Sequence, residues 1–151
     1  MKRILLAEDN ANDVELTLTA LRECHLANGV EVVHDGAEAL DYLYRRGAYS
    51  EDRRKSPAVV LLDLKMPRVD GLEVLRQIKA DPVLHRIPVV MLTSSREERD
   101  LVQSYDLGVN AYVVKPVDFT QFVDAIRTLG IFWAIVNEPL PANAIVDDNQ
   151  T

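Results

Sequence analysis

The sequence predicts an α/β fold: one parallel sheet, doubly wound, with helices packed on both of its faces. Short apolar runs alternate with longer amphipathic stretches from one end of the chain to the other, five times over. Two of the runs, AVVLL and PVVML, are apolar at every position, as expected for central strands that have no solvent side. In the first amphipathic stretch Val14, Leu18 and Leu21 recur at spacings of four and three, one face of a helix that packs on the sheet.

Taken in order, Arg3–Ala7 gives the first strand and Asn12–His25 the first helix. Val30–His34 and Ala37–Arg46 form the second pair, with Gly29 and Gly47 placed where a left-handed residue closes a helix. The stretch Arg45–Lys55 is charged and aperiodic and predicts an exposed loop. Ala58–Leu62 with Gly71–Ala80 and Pro88–Thr93 with Glu97–Leu107 are the third and fourth pairs; Pro82 and Pro88 bar further helix between them, and Gly108 closes the last. Ala111–Val114 and Asp118–Leu129 complete the series. After it the pattern breaks: FWAIV is strongly apolar, EPLPAN carries two prolines and DDNQT has the composition of a frayed tail. Residues 1–130 therefore read as one domain and 131–151 as a C-terminal extension.

With 151 residues and 48% hydrophobic content, the chain suits one domain that buries about two-thirds of its unfolded surface. The net charge of −7, from 24 acids against 17 bases, argues against a nucleic-acid backbone as partner. A lone cysteine, Cys24, makes no internal disulfide, and MKRILLAEDN lacks the apolar length of a signal peptide or membrane span, so a reducing cytoplasmic setting is expected. His25, His34 and His85 have no metal-ligand spacing. Arg45, Arg46, Arg53, Arg54 and Lys55 read as a solvated loop, with docking of an acidic partner as the alternative, and Arg96 and Arg99 as surface charge.

Ligands of a parallel sheet bind beyond the carboxyl ends of its strands. Glu8 and Asp9 end the first strand here, Asp63 the third, Thr93 and Ser94 the fourth and Lys115 the fifth. Any one acid after a strand is most simply a helix N-cap, but four strand ends carrying three acids, a hydroxyl pair and a lysine form a constellation. Hard oxygen donors in that number suit Mg²⁺, which takes one or two carboxylates together with water and phosphate oxygens. Asp63 is then a nucleophile for a phosphoryl group, with Lys115 and Thr93 placed to hold the phosphoryl oxygens.

The segments LLAEDN, LLDLKMPRVDG, VVMLTSS and AYVVKP occur in that order and resemble the motifs of the two-component receiver domain, over a span from Lys2 to Leu129. The resemblance implies a flavodoxin-like (βα)5 fold with strand order 2-1-3-4-5. It implies a response regulator that accepts a phosphoryl group from a sensor histidine kinase on Asp63. Asp9 would be a direct Mg²⁺ ligand, Glu8 a ligand through water and the Lys65 backbone carbonyl a third, with Thr93 and Lys115 on the phosphoryl group and a cis bond before Pro116. The Glu8–Asp9 pair stands where two aspartates are usual and keeps the charge. Lys65 and Ser95 hold positions where family members tune phosphoryl lifetime, and Lys65 is expected to slow hydrolysis. Movement of Thr93 would let Tyr112 turn inward as a switch; an ordinary half-buried strand tyrosine is the alternative.

Ile131, Phe132, Trp133, Ile135 and Val136 are too apolar for water. They either extend the last helix onto the domain's own core or bury against a second copy, and a homodimer is the expectation. GIFW followed by Pro139 and Pro141, with the charged loop before the third strand, resembles the response regulators that serve bacterial phytochromes and related hybrid kinases. No effector domain follows, so output is expected through protein contact or phosphate relay. An aspartyl-phosphate hydrolase would carry a second acid two residues after its nucleophile, where Lys65 stands; a dinucleotide oxidoreductase would need a Gly-rich turn after the first strand, which is missing. A signalling domain, not an enzyme, is therefore expected, one that catalyses only its own phosphotransfer and slow dephosphorylation.

Overall fold

The computed structural model describes residues 3–23, 29–51 and 56–129. Five strands, β1 (Ile4–Ala7), β2 (Val30–Val33), β3 (Val59–Asp63), β4 (Val89–Thr93) and β5 (Ala111–Val114), alternate with five helices, α1 (Ala11–Glu23), α2 (Gly36–Tyr44), α3 (Gly71–Ala80), α4 (Arg96–Ser104) and α5 (Phe119–Leu129). The strands form one parallel sheet in the order β2-β1-β3-β4-β5.

Every residue of β1, β3 and β4 is buried, and their side chains divide by parity between two cores. Leu5, Ala7, Val60, Leu62, Val89 and Met91 face α2, α3 and α4 through Leu40, Val74 and Val102. Ile4, Leu6, Val59, Leu61, Val90 and Leu92 face α1 and α5 through Leu21, Phe122 and Ile126. Continuous apolarity in the third and fourth runs thus reflects burial on two sides. Val14 and Leu18 pack at the edge of the second core and Leu21 within it, as their spacing predicts.

Three helices open on the same device, a short acceptor with a glutamate three residues on. Asp35, Asp70 and Ser95 accept from the backbone N–H of Glu38, Glu73 and Glu98 at 2.7, 2.9 and 3.2 Å. Two helices end earlier than the periodicity predicts. α2 stops at Tyr44 because Arg45 takes the left-handed conformation (φ 55°) and donates back to Asp41 and Tyr42 carbonyls, two residues before Gly47. α4 stops at Ser104, and Asp106 and Gly108 both have positive φ in the turn that follows. The stretch after α2 is less free than its composition suggests: Tyr49 packs edge-on against Tyr42 at 5.1 Å and donates to Glu38 at 2.8 Å. Cys24, His25, Arg53, Arg54 and Lys55 lie outside the described residues, as do Ile131, Phe132, Trp133, Ile135 and Val136 of the C-terminal extension.

Candidate phosphoacceptor and metal site

The register of the sheet assembles the site. Ala7 stands beside Leu62, Asp63 beside Leu92 and Thr93 beside Val114, so Glu8, Asp63, Thr93 and Lys115 emerge as neighbours at one edge. Backbone bonds continue past the strand ends and fix these positions: Glu8 N–H donates to Val33, Leu64 N–H to Leu92 and Lys115 N–H to Thr93. The edge is also where the winding reverses. α1 leaves β1 toward one face and α3 leaves β3 toward the other, opening the crevice in which α/β sheets bind ligands.

Within it Glu8, Asp63 and Thr93 are buried and Asp9 is exposed. Carboxylate oxygens of Glu8, Asp9 and Asp63 all lie within 4.8 Å of one another, a spacing that one small cation spans. Lys115 projects its ammonium among them, 2.9 Å from Asp63 Oδ1, 3.0 Å from Asp13 Oδ2 and 3.2 Å from Glu8 Oε1. Its peptide bond to Pro116 is cis. The hydroxyl of Thr93 is buried and has no hydrogen-bond partner, a donor held next to the acids with nothing to bind.

The electrostatics follow from packing like charges in a dry place. Burial first, and then repulsion from Asp63, push the Glu8 carboxyl from its ordinary 4.5 up to about 7, against the pull of the Asn10 N–H and Lys115. Burial also raises Asp63, with Lys115 pulling the other way. Burial works against charge on Lys115, but the hydrogen bonds it donates to Asp63 and Asp13 and its attraction to Asp63 and Glu8 more than offset this, holding its pKa above the ordinary lysine value. Without a second cation, the Glu8 carboxyl therefore holds its proton to a higher pH than an ordinary glutamate. The donor set, its spacing and this unmet charge all fit a divalent ion of the oxygen-preferring kind.

The remaining predicted residues sit around this centre. Lys65 follows β3 with its side chain largely exposed, and its ammonium pairs with Glu98 at 3.1 Å. Ser95 caps α4, and Ser94 N–H donates to Glu98 at 2.8 Å. Tyr112 is half-buried on β5 beside a cleft of ≈ 370 Å³ lined by Arg99, Gln103, Gln121 and Asp124. His34 and His85 are exposed. Two residues escaped the sequence reading. Asp13 reaches Lys115 from the first turn of α1, a fourth acid at the site, four residues beyond Asp9. Glu98 bridges Lys65 to α4, and its sequence signal was the Ser-x-x-Glu pattern of a capped helix. Nearby, Arg68 (φ 66°) grips Asp35 at 2.9 and 3.0 Å through two N–H groups and pins the loop after β3 to the start of α2.

Residues 4–127 match the response regulator receiver domain family. Response regulator Rcp1 of Synechocystis is 38% identical over 132 residues, 87% of this chain and 88% of that protein. Its Mn²⁺-bound form superposes with a TM-score of 0.70 at 36% identity, over 94% of this chain and all (100%) of the other. The bacteriophytochrome response regulator AtBRR is 64% identical with a TM-score of 0.85, over 91% of this chain and 99% of that one. The bacteriophytochrome response regulator RtBRR is 62% identical with a TM-score of 0.85, over 93% and 85%.

Proposed function

The chain belongs to the response regulator receiver family, and from that premise we propose that Asp63 accepts a phosphoryl group from a sensor histidine kinase. Mg²⁺ would be held by Glu8, Asp9, Asp63 and the backbone carbonyl of Lys65. The observation that carries the reading is the Asp63 carboxylate held 2.9 Å from the Lys115 ammonium with Glu8 and Asp9 oxygens within 4.8 Å. A bound Mg²⁺ supplies positive charge to the acids and to the transferring group.

The protein's own residues do the rest. An Asp63 oxygen attacks phosphorus as the bond to the donor's histidine nitrogen breaks; the electron pair stays on that nitrogen and the product is an aspartyl phosphate. Lys115 moves one of its three donors from the Asp63 carboxylate to a phosphoryl oxygen. Thr93, whose hydroxyl is buried without a partner, turns that donor onto another oxygen, and Tyr112 follows into the space released. The names of AtBRR and RtBRR, both bacteriophytochrome response regulators, support a phytochrome-type kinase as the donor. Among the described residues no helix is long and apolar enough to cross a membrane. We place the protein in the cytoplasm, beside its kinase, as a homodimer.

Protein given Mg²⁺ and acetyl phosphate should gain the mass of one phosphoryl group on a peptide containing Asp63, and a chelator should prevent it. Failure to label, or a label mapped elsewhere, defeats the reading. The lifetime of that group is a second test. Lys65 lies two residues beyond Asp63 with its side chain largely exposed, so Lys65→Asn should speed loss of the phosphoryl group, by no more than about fivefold because an exposed charge contributes about 1 kcal/mol or less. Decay followed on phosphate-affinity gels would reject this role if the two proteins match.

A further inference from the structure

We propose that Asp13 is the positioning residue that aims Lys115, and through it sets the rate of phosphoryl transfer; this rests on the phosphoacceptor reading above. A lysine ammonium has three N–H donors and no acceptor. All three are engaged here, on Asp63 Oδ1 at 2.9 Å, Asp13 Oδ2 at 3.0 Å and Glu8 Oε1 at 3.2 Å. Two of these acceptors belong to the set of converging oxygens that a cation would occupy, and Asp13 stands outside that set. A divalent ion held by Glu8 and Asp63 would repel the ammonium and withdraw electron density from their oxygens. Asp13 keeps its full charge and becomes the tether that retains Lys115 at the site.

The geometry suits a tether more than a ligand. Asp13 lies in the first turn of α1, where its own backbone N–H donates to Asn10 Oδ1 at 2.9 Å and so fixes the start of the helix. Its side chain is partly buried, dry enough for a charge-assisted bond to hold direction. With Glu8 and Asp13 gripping two donors, the third has one course left, toward Asp63 and whatever that oxygen carries. Freed from Asp13, the four-carbon stem of the lysine gains rotamers that lead away from the site.

The experiment compares Asp13→Asn, Asp13→Glu, Lys115→Ala and the Asp13→Asn/Lys115→Ala pair, labelled by acetyl phosphate at saturating Mg²⁺. Asparagine preserves size and keeps an acceptor oxygen, so the fold stays intact while the charge goes. Asp13→Asn should label about tenfold more slowly than wild type, the loss expected for about one charge-assisted bond. Asp13→Glu should restore most of the rate, and the double variant should label no more slowly than Lys115→Ala alone, because Asp13 acts through the lysine. A readout independent of labelling is the Lys115 ammonium itself in ¹⁵N NMR with Mg²⁺ present: slow to exchange with solvent in wild type, fast in Asp13→Asn. Equal labelling rates together with an unchanged ammonium signal would overturn the inference. Wild type that takes no label at all would instead remove the phosphoacceptor reading, and the ammonium signal would still decide whether Asp13 tethers Lys115.

Discussion

Metal-free protein is expected to lose about 3 kcal/mol of stability as pH rises from 4.5 to 7, and Glu8→Gln and Asp63→Asn should each recover much of it while losing phosphoryl uptake. A carboxyl whose pKa is higher in the fold than in the unfolded chain keeps its proton longer when folded. Between the two values the native state binds more protons, so stability falls with rising pH. For Glu8 the window runs from the ordinary 4.5 to about 7, and its width corresponds to about 3 kcal/mol. Asp63 pushes in the same direction. Asp35, Glu73, Asp81 and Glu98, held low mainly by hydrogen bonds to Arg68, Gln77, the Leu84 N–H and the Ser94 N–H, act with the opposite sign, but their window lies below the ordinary carboxylate range and stays separate. Asp63→Asn removes the charge that repels Glu8 as well as the nucleophile; it should be the more stable protein above pH 6 and take no label. Mg²⁺ should reverse the trend in wild type, because it binds the deprotonated cluster and adds stability by mass action. Its apparent affinity should climb by up to about tenfold per pH unit below pH 7 and then level off. Urea unfolding across this pH range, with and without Mg²⁺, measures each effect; a flat wild-type profile without metal would show that the acids are not strained against one another.

What could be read in advance follows a physical division. Uniform burial writes itself into β3 and β4 as unbroken apolarity, and the acids at strand ends stand out because nothing in a core explains them. Glu8, Asp63, Thr93 and Lys115 are thus legible in the sequence itself. Asp13 was not, because a carboxylate in the first turn of a helix is already accounted for by the helix dipole, and its second task depends on a lysine 102 residues away. The ends of α2 and α4 were misplaced for a related reason. Arg45 and Asp106 adopt the left-handed conformation that glycine usually supplies, and Arg68 does so in the loop after β3. For Arg68 the reason is a two-pronged grip on Asp35, a contact between positions 33 residues apart that no local pattern encodes. Alternation and spacing report burial; they are silent on long-range ion pairs.

Gly71→Ala should be a severely damaging small substitution. Glycine at the first position of α3 lies against the end of β3: a Cβ there would stand 2.2 Å from the carbonyl oxygen of Asp63 and 2.9 Å from both Cα and O of Leu64. These are backbone atoms, tied into the sheet by the Leu64 N–H bond to Leu92 and into the helix by the Gly71 N–H bond to Leu64, so no side chain can swing aside. Alanine is the better helix former by up to about 1 kcal/mol, which favours the variant. The clash outweighs it: forcing a methyl into packed backbone costs about 3 kcal/mol, leaving a net loss of about 2 kcal/mol or more. The shift falls on Asp63 itself, so Mg²⁺ affinity and labelling rate should drop together with stability. Gly108→Ala separates this from a mere loss of backbone freedom. Its φ of 81° also disfavours alanine, but the nearest atom to a Cβ there is the Lys79 stem at 3.8 Å, so it should cost about 1 kcal/mol and leave labelling alone. If Gly71→Ala unfolded in urea and bound Mg²⁺ as the wild type does, the close seat of α3 on the phosphoacceptor strand would be no constraint on the site.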